Sequence, residues 1–419
     1  MTQDAVPHPP AVGGVSQRRF LFYAHDGLGL GHTRRNLAIA AAVVERDPEA
    51  AILLATGIED FGKLGIPRNV GILKLPALRK VENGRYVARR LPVSPEDVLA
   101  LRGALLKAAV DSFRPDVLLA DKHPFGAAGE LTPALDSLRT IGARTALGLR
   151  DILDSGRIVA KEWSGDHQSR VSEVYDRIFV YGSRALFDPI AEYQFPKRLA
   201  ERTHFCGYVV NRVRNVWRSG DAFPAPEPEC RSRPLVLATP GGGEDGFPLL
   251  ELFIRAVAGT GWDAIVVTGP DTTAANRVLL RGLAEEAGIT FRTFVPHLAG
   301  WFSRVDALVS MGGYNTLAEA LSTATPTVCI PRTEPRVEQL LRAEAFGRLG
   351  LLHVLKPSDL TLESLQAAIA QALQLSRAEL SARVSGSFRF DGAAEAALQL
   401  VALADRSSVR AEAFVGALP

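Results

Sequence analysis

The sequence predicts an α/β protein built from two Rossmann-like halves. Three observations support this prediction: apolar segments of strand length alternate with helical segments, this order occurs twice, and a Pro-rich charged stretch without periodicity separates the two series. Uninterrupted apolar runs are typical of parallel strands that helices cover on both faces. We therefore expect one parallel sheet in each half.

Length and composition set the first limits on the class of protein. The chain has 419 residues, of which 47% are hydrophobic and 22% charged, which argues against a wholly disordered chain. A formal net charge of +2 gives no general reason to expect nucleic acid as a partner. The 3 cysteines form no CxxC pair, which fits a reducing cytoplasm, and no apolar run approaches the ~18 residues of a membrane span. We expect a cytoplasmic protein.

The first half is expected to span residues 18–210, after a polar tail of residues 1–17 that lacks the apolar core of a secretion signal. It opens with a strand, a glycine turn and a helical stretch, which form a βαβ unit with the next strand. Its strands are expected at residues 20–24, 51–57, 115–121, 144–151 and 176–183, and its first helix at residues 33–46.

Residues 211–233 are rich in Pro and charge and are predicted to be a linker. The second half, residues 234–390, begins again with a strand, a glycine loop and a helix. Its further strands are expected in the segments WDAIVVTGP, ITFRTFVP, VDALVSMGG and PTVCIPR. A C-terminal helix and tail are expected over residues 391–419, and the sequence leaves open whether this helix packs on the first half.

Three glycine-rich loops, residues 26–34, 240–246 and 310–316, follow predicted strands. In a parallel sheet such loops lie at the carboxyl edge, where helix N-termini present N–H groups to anions. Two facing halves would bring all three loops to one cleft. A dinucleotide fold is the main alternative, but the first loop reads GxGxG and not GxGxxG, and the second strand ends in Thr56 and Gly57 where that fold usually has an acid.

Two side chains are candidate general bases at this cleft. His32 ends the first glycine loop, and an imidazole can accept the proton of a sugar hydroxyl near neutral pH. Asp121 follows a strand whose end faces the same cleft and is the second candidate, with His123 beside it as a candidate acceptor contact. His25, before the loop, is an alternative base.

The strongest functional signal lies in residues 310–346, where a glycine turn and a helix lead to Glu319. A carboxylate can accept hydrogen bonds from two vicinal ribose hydroxyls. This segment resembles the donor-nucleotide signature of GT-B glycosyltransferases, in particular the family of the UDP-N-acetylglucosamine transferases of lipid II synthesis, glycosyltransferase family 28. The positions that match in order and spacing are Ser310, Gly313, Thr316, Glu319, Pro326, Pro331, Gln339 and Ala343.

The resemblance implies the GT-B fold, two Rossmann-like domains with a ligand cleft between them, and a donor site mainly in the second domain. Glu319 would hold the ribose, Val295 would meet the base through its backbone, and Glu338 with Gln339 would face the sugar. The expected donor-binding residues are Gly29, Gly31, Arg212, Gly242, Gly243, Val295, Gly312, Gly313, Thr316, Glu319, Glu338 and Gln339.

The resemblance places the acceptor on the first domain. The family's HEQN segment aligns with LRDI. Arg34 and Arg35 follow the first glycine loop and could neutralise a phosphate of the donor or of the acceptor. The expected acceptor-binding residues are Arg34, His123, Arg150 and Asp151. The chain also departs from the family: Met311 stands in place of Arg, Arg342 in place of Asn and Gly243 in place of Ser. These departures leave the sugar and the acceptor open.

Residues 74–107 contain eight basic and three acidic residues, with Tyr86 and Leu91 among them. The corresponding region approaches the membrane in the lipid II family, and a basic, apolar surface would suit an anionic lipid-linked acceptor or leaflet. Peripheral contact with the inner face of the membrane is therefore one interpretation, and a solvated face is the other.

Together these features predict an inverting glycosyltransferase that moves a sugar from a nucleotide-sugar donor, a UDP-sugar, to an acceptor hydroxyl of unknown identity, lipid-linked or another glycan. His32 is the expected base and Asp121 the reserve. No DxD motif stands at a donor loop, so neither a metal nor another cofactor is expected. The alternatives are a nucleotide-sugar hydrolase or 2-epimerase, a non-catalytic nucleotide-sugar binding protein, and a nicotinamide dehydrogenase.

Overall fold

The structure is a computed structural model that describes residues 17–25, 31–59, 64–81, 85–163, 166–211, 231–243, 245–295 and 297–415. Nearly all of the predicted N-terminal tail and most of the predicted linker lie outside these residues. The same holds for Gly29 and Arg212, two of the expected donor-binding residues.

The first half forms a seven-stranded sheet in which every pair of neighbouring strands is parallel, with the order β3-β2-β1-β6-β7-β8-β9. A separate antiparallel hairpin pairs β4 with β5. The strands are β1 (Arg19–Ala24), β2 (Ala51–Thr56), β3 (Val70–Lys74), β4 (Leu78–Lys80), β5 (Tyr86–Ala88), β6 (Val117–Asp121), β7 (Arg144–Arg150), β8 (Arg177–Tyr181) and β9 (Thr203–Phe205).

Helices cover this sheet on both faces, as the apolar strands require. They are α1 (Gly31–Arg46), α2 (Pro95–Phe113), α3 (Thr132–Thr140), α4 (Gly156–Glu162), α5 (His167–Val174), α6 (Pro189–Glu192) and α7 (Lys197–Glu201). The start of α2 is encoded locally: the Ser94 side chain accepts a hydrogen bond from the backbone N–H of Asp97, and Pro95 occupies the first turn.

The second half forms a six-stranded sheet, again parallel throughout, with the order β12-β11-β10-β13-β14-β15. Its strands are β10 (Leu235–Thr239), β11 (Asp263–Val267), β12 (Thr290–Arg292), β13 (Ala307–Ser310), β14 (Thr327–Cys329) and β15 (His353–Val354). Its helices are α8 (Phe247–Val257), α9 (Ala274–Glu286), α10 (Ala299–Phe302), α11 (Tyr314–Ser322), α12 (Glu338–Arg348), α13 (Leu362–Leu373) and α14 (Arg377–Ser385). The α/β class with two parallel sheets is therefore confirmed.

In both sheets the strand order reverses beside the first strand of the half. The chain winds outward from β1 through β2 and β3 and then returns to place β6 on the other side of β1; β10 and β13 repeat this arrangement. Ligands of open parallel sheets bind at such reversal points, outside the carboxyl ends of the strands. The fold thus points to two facing crevices.

The last helix, α15 (Gly392–Val415), returns to the first half and packs on α1. Ala396, Ala397 and Leu400 of α15 belong to the same apolar core as Ile39 and Val43 of α1. This core also includes Tyr314 and Leu317 of α11, so apolar packing connects the two halves. Within the described residues, no helix is long and apolar enough to cross a membrane.

Candidate active site

A cavity of about 650 Å³ opens between the carboxyl ends of the two sheets, and both halves line it. The predicted site residues in its lining are Gly31, His32, Arg34, Arg150, Gly242, Gly243, Val295, Gly313, Thr316, Glu319 and Gln339. Behind this lining lie Asp121, His123, Asp151, Gly312 and Glu338. One cleft thus collects most of the residues that the sequence singled out.

The two candidate bases form one unit. His32 Nδ1 lies 2.8 Å from Oδ1 of Asp121, which is fully buried at the end of β6. The sheet order explains this contact, because β1 and β6 are neighbours and their ends bring the start of α1 beside Asp121. The sequence treated the two side chains as competitors for one role, whereas the fold makes them partners.

Arg35 completes this unit. Its Nε and Nη2 donate to the two oxygens of Asp121 at 2.9 and 2.7 Å, and its guanidinium lies over the rings of Tyr181 and Tyr314. Arg35 is buried, so the expectation that it neutralises a phosphate with Arg34 does not fit its position. Only the spacing of Arg35 from His32 along α1 could have indicated this role.

The charge of Asp121 determines the hydrogen bond that His32 makes. Burial alone would raise the pKa of Asp121, but Arg35 and His32 hold it well below its usual range, so the carboxylate is ionised at neutral pH. Nη2 of Arg35 also lies 2.9 Å from Nδ1 of His32, but an ionised carboxylate only accepts hydrogen bonds, so we assign the tautomer in which Nδ1–H of His32 donates to Asp121. In the neutral ring the lone pair then lies on Nε2, as proton acceptance requires.

Two further histidines pack beside His32. The ring centroid of His25 lies 5.1 Å from that of His32 and 4.1 Å from that of His123. Burial, together with the neighbouring His123 and His32, lowers the pKa of His25 well below its usual range, so its ring is neutral at neutral pH. Among the described residues no group of three or more His, Cys, Asp or Glu side chains is arranged to hold a metal ion.

Glycine turns form part of the opposite wall. Gly243 has φ +97°, and a Cβ there would meet the carbonyl oxygen of Thr268 at 2.5 Å. Gly269 has φ +101°, and a Cβ on it would meet the carbonyl oxygen of Gly241 at 2.3 Å. The turns after β10 and β11 therefore pack backbone to backbone, which only glycine allows. This close packing leaves the cavity wall open to a flat or anionic ligand.

The third glycine turn leads into α11. Gly313 is the N-cap of this helix, and Thr316 in its first turn also lines the cavity. The first N–H groups of a helix lack intrahelical partners and attract anions. Gly312 is packed closely: a Cβ there would meet the carbonyl oxygen of Gln339 at 2.7 Å, so this glycine permits contact with α12, and its expected part in donor binding stays a prediction.

Glu319 faces the cavity from the second turn of α11. Burial raises the pKa of its carboxyl group, and Arg34 partly opposes this effect. Nη2 of Arg34 donates to Oε1 of Glu319 at 2.9 Å across the cleft. The side chain expected at the acceptor thus contacts the carboxylate expected to hold the ribose.

Arg342 and Asp151, which both stand where the family pattern has other residues, form an ion pair. Nη2 of Arg342 donates to Oδ1 of Asp151 at 2.8 Å, and both side chains are 1% exposed. Arg342 also donates to the backbone carbonyls of Gly312 and Ile152. The predicted acceptor contact at Asp151 does not fit this position, because its carboxylate is buried in an ion pair that joins the two halves.

The two residues expected at the sugar take different positions. Gln339 lines the cavity, and its Oε1 accepts a hydrogen bond from the backbone N–H of Arg332 at 3.2 Å. Glu338 is buried, and its Oε1 accepts from Nη2 of Arg332 at 3.1 Å. Although burial would raise it, Arg150 and Arg332 lower the pKa of Glu338. Arg332 is a cavity residue that the sequence did not single out.

Similar proteins agree with this architecture. Residues 263–396 match the model of the Glycosyltransferase family 28 C-terminal domain. The NDP-glycosyltransferase YjiC of Bacillus subtilis is 31% identical over 182 residues, which cover 42% of this chain and 44% of YjiC. The UDP-N-acetylglucosamine--N-acetylmuramyl-(pentapeptide) pyrophosphoryl-undecaprenol N-acetylglucosamine transferase of Geobacillus kaustophilus is 40% identical over 77 residues, which cover 18% of this chain and 21% of that enzyme.

The similarity in fold extends over nearly the whole chain. A UDP-glucosyltransferase from Polygonum tinctorium superimposes with a TM-score of 0.65 at 12% identity, covering 94% of this chain and all of that one. The chain therefore has the GT-B fold, and the predicted resemblance to glycosyltransferase family 28 is confirmed for its C-terminal domain.

Proposed function

We propose that the protein is a glycosyltransferase that transfers a sugar from a UDP-sugar to an acceptor hydroxyl with inversion at the anomeric carbon. The observation that carries this proposal is the position of the His32–Asp121 pair on one wall of a cavity whose other wall holds the glycine turns and Glu319. A proton acceptor and a nucleotide site then share a single cleft, as a displacement reaction requires.

The donor would bind mainly to the second half. The two oxygens of Glu319 are the acceptors for the ribose hydroxyls, and the first N–H groups of α11 with the turn at Gly242 and Gly243 face the diphosphate. Val295 is buried beside the cavity, in reach of the base through its backbone. In this arrangement Gln339 meets the transferred sugar.

In the reaction the acceptor oxygen forms a bond to the anomeric carbon while the bond between that carbon and the β-phosphate oxygen breaks. The electron pair of the broken bond leaves with UDP, and the proton of the hydroxyl passes to Nε2 of His32. Asp121 stabilises the resulting imidazolium and orients the ring. Backbone N–H groups and helix dipoles stabilise the charge on UDP, and we expect no bound metal to take part.

The acceptor and the location of the protein remain predictions. Of the basic stretch at residues 74–107, Arg102 is buried in an ion pair with Glu130, and Arg90 pairs with Glu59. Leu91 and Val93 are exposed at 44% each. Because some of its arginines already pair with glutamates, this stretch supports peripheral contact with an anionic leaflet less strongly than its composition alone suggests.

The first test is a thermal-shift screen with UDP, GDP, dTDP and NAD, followed by sugar conjugates of whichever nucleotide binds. We expect UDP to raise the melting temperature, Glu319→Ala to abolish that shift, and one UDP-sugar to deepen it. A ligand present at ~100 times its Kd stabilises by about 2.7 kcal/mol. Glu363→Ala, an exposed glutamate on α13, is the matched control and should keep the shift.

Transfer itself is measured with the binding UDP-sugar, an acceptor panel and EDTA present, and the anomeric configuration of the product is read by NMR. An inverted product formed in EDTA is the expected result. Turnover of the donor without any acceptor would instead indicate a hydrolase or 2-epimerase, and binding without turnover a nucleotide-sugar binding protein. A shift with NAD alone would indicate a dehydrogenase.

A further inference from the structure

Arg150 occupies a central position on the first wall of the cavity. It is the last residue of β7, in register with Tyr181 of β8, and β7 also pairs with β6, which ends in Asp121. Arg150 lines the cavity together with His32. Its guanidinium therefore belongs to the wall that carries the proposed base, one strand away from the partner of that base.

The other arginines of this region all have carboxylate partners. Arg34 pairs with Glu319, Arg35 with Asp121, Arg332 with Glu338 and Arg342 with Asp151.

Within the part of the chain that the structure describes, the guanidinium of Arg150 forms neither a hydrogen bond nor an ion pair, and its Nε is buried without a partner. Arg150 is thus distinguished from its neighbours by the absence of a carboxylate in direct contact with its guanidinium.

This isolation is costly for the folded protein. Burial lowers the pKa of Arg150 to about 10, and the neighbouring Arg342 and Arg35 add to the effect. The nearby carboxylates of Asp151 and Glu338 form their ion pairs with Arg342 and Arg332, although Oε2 of Glu338 has no hydrogen-bond partner. Glu338 attracts Arg150 at a distance but forms no ion pair with it, and its Oε1 accepts from Arg332. A buried cation without a partner destabilises a fold unless a ligand supplies the charge.

We propose that Arg150 binds an anionic group, a carboxylate or a phosphate, that the acceptor carries close to its reacting hydroxyl. A guanidinium presents paired N–H donors that match either anion. The anion site follows from the unpaired guanidinium in the cavity, and its assignment to the acceptor rests on the proposed function. In the proposed function the diphosphate of the donor binds on the opposite wall, where the glycine turns and the start of α11 line the cavity.

The test titrates inorganic phosphate into the full-length protein at constant ionic strength, with and without saturating UDP, and follows binding by calorimetry. The variants are Arg150→Gln, Arg150→Lys and the control Arg157→Gln, which removes an exposed arginine on α4 outside the cavity. We expect phosphate to bind the UDP-saturated wild type and control. The dissociation constant should rise at least tenfold in Arg150→Gln and less in Arg150→Lys.

A second readout is the melting temperature without ligand. Because Arg150→Gln removes a partly buried charge that no ion pair compensates, we expect it to melt at the same temperature as the wild type or higher. A marked decrease would mean that Arg150 serves the fold, and would overturn the proposal.

Two binding results would also overturn it: equal phosphate affinity in wild type and Arg150→Gln, or no phosphate binding in either state. If Arg150→Gln weakens UDP itself and phosphate binds only without UDP, the anion is the donor diphosphate and the acceptor assignment is wrong. If UDP does not bind the wild type, the donor proposal fails, while the titration without UDP still tests the anion site at Arg150.

Discussion

In each wall of the cleft a strand leads to a helix, but the two walls present different chemistry. On the first wall, β1 leads into α1, which carries the polar side chains His32, Arg34 and Arg35. On the second wall, β13 leads through Gly312 and Gly313 into α11, and the glycine turns after β10 and β11 contribute to the surface. The surface of the first wall therefore depends on the orientation of its side chains, and that of the second wall depends on the close approach of its backbone turns.

This difference separates the two tasks of the proposed enzyme. Proton transfer needs side chains held at hydrogen-bond distance, as His32 and Asp121 are. Binding of a diphosphate needs exposed N–H groups and space, which glycine turns and a helix start provide. Of the ion pairs that join the two halves, Arg342–Asp151 is buried, whereas Arg34–Glu319 borders the cavity. Substitutions on each wall and in each pair should therefore have distinguishable effects.

The largest expected effect is that of His32→Ala, which should change catalysis on the first wall without changing donor binding on the second. We expect kcat to fall about 10²–10⁴-fold, because the proton acceptor is lost, while the Kd of UDP stays unchanged because the donor lies on the other wall. Steady-state kinetics and calorimetry measure the two quantities. His353→Ala, on β15 away from the cavity, is the control. A retained kcat would show that His32 is not the base.

The buried pair between the walls should dominate stability. Arg342→Met leaves the carboxylate of Asp151 buried without its partner, so we expect the free energy of unfolding to fall by about 3–5 kcal/mol. Denaturant unfolding measures this change. Adding Asp151→Leu should restore most of the loss, because no unpaired charge remains. A single substitution without effect would mean that water reaches Asp151.

The pH dependence of UDP binding should identify the carboxylate of the second wall. Burial raises the pKa of Glu319, so on acidification this group takes up its proton at a higher pH than an exposed glutamate does. The ribose hydroxyls donate to the ionised form, so the affinity for UDP is full above this raised pKa and decreases as the pH falls through it, by up to about tenfold per pH unit.

The same shift has a defined sign for stability. Between the pKa of the unfolded state and the raised pKa, the folded state binds more protons, so the contribution of Glu319 to stability decreases as the pH rises through this window.

The pH dependence of UDP affinity is measured for the wild type and for Glu319→Gln. Subtracting the profile of the variant from that of the wild type removes the contribution of the titration of UDP itself. Identical profiles for the variant and the wild type would contradict the assignment of Glu319 to the ribose.

The smallest expected effect concerns the ion pair at the cavity. Arg34 occupies one oxygen of Glu319, so Arg34→Gln should free that oxygen and lower the Kd of UDP about two- to fivefold. Calorimetry with Arg46→Gln, an exposed arginine at the far end of α1, as the control checks this prediction. Weaker binding of UDP in the variant would instead assign Arg34 to the diphosphate.

Much of the fold was predictable because its signals are local. Apolar runs of strand length at residues 20–24 and 115–121 correspond to β1 and β6 almost residue for residue. The strands β3 and β9 were missed because β3 is only partly buried and β9 has three residues, so neither has a strong apolar run. The packing of α15 on α1 was left open because contacts between distant segments leave no local pattern.

The same distinction between local signals and contacts of distant segments applies to the candidate site. The sequence by itself determined which residue types stand at the strand ends: the glycines at 242, 243 and 313, the carboxylate of Glu319, and the side chains of His32 and Asp121. Strand period, turn chemistry and helix starts are properties of neighbouring residues, so one chain suffices to recognise them.

Only the tertiary structure decided which of these groups act together. The pairing of His32 with Asp121 and the ion pair of Arg342 with Asp151 each join segments that are far apart in the chain. The lack of a partner for the guanidinium of Arg150 likewise depends on which segments the fold brings near it. A side chain is an ion-pair partner, a base or a free charge according to distances below about 3.2 Å and to burial. The sheet order sets those distances, and it is established only when the two halves fold and close on each other.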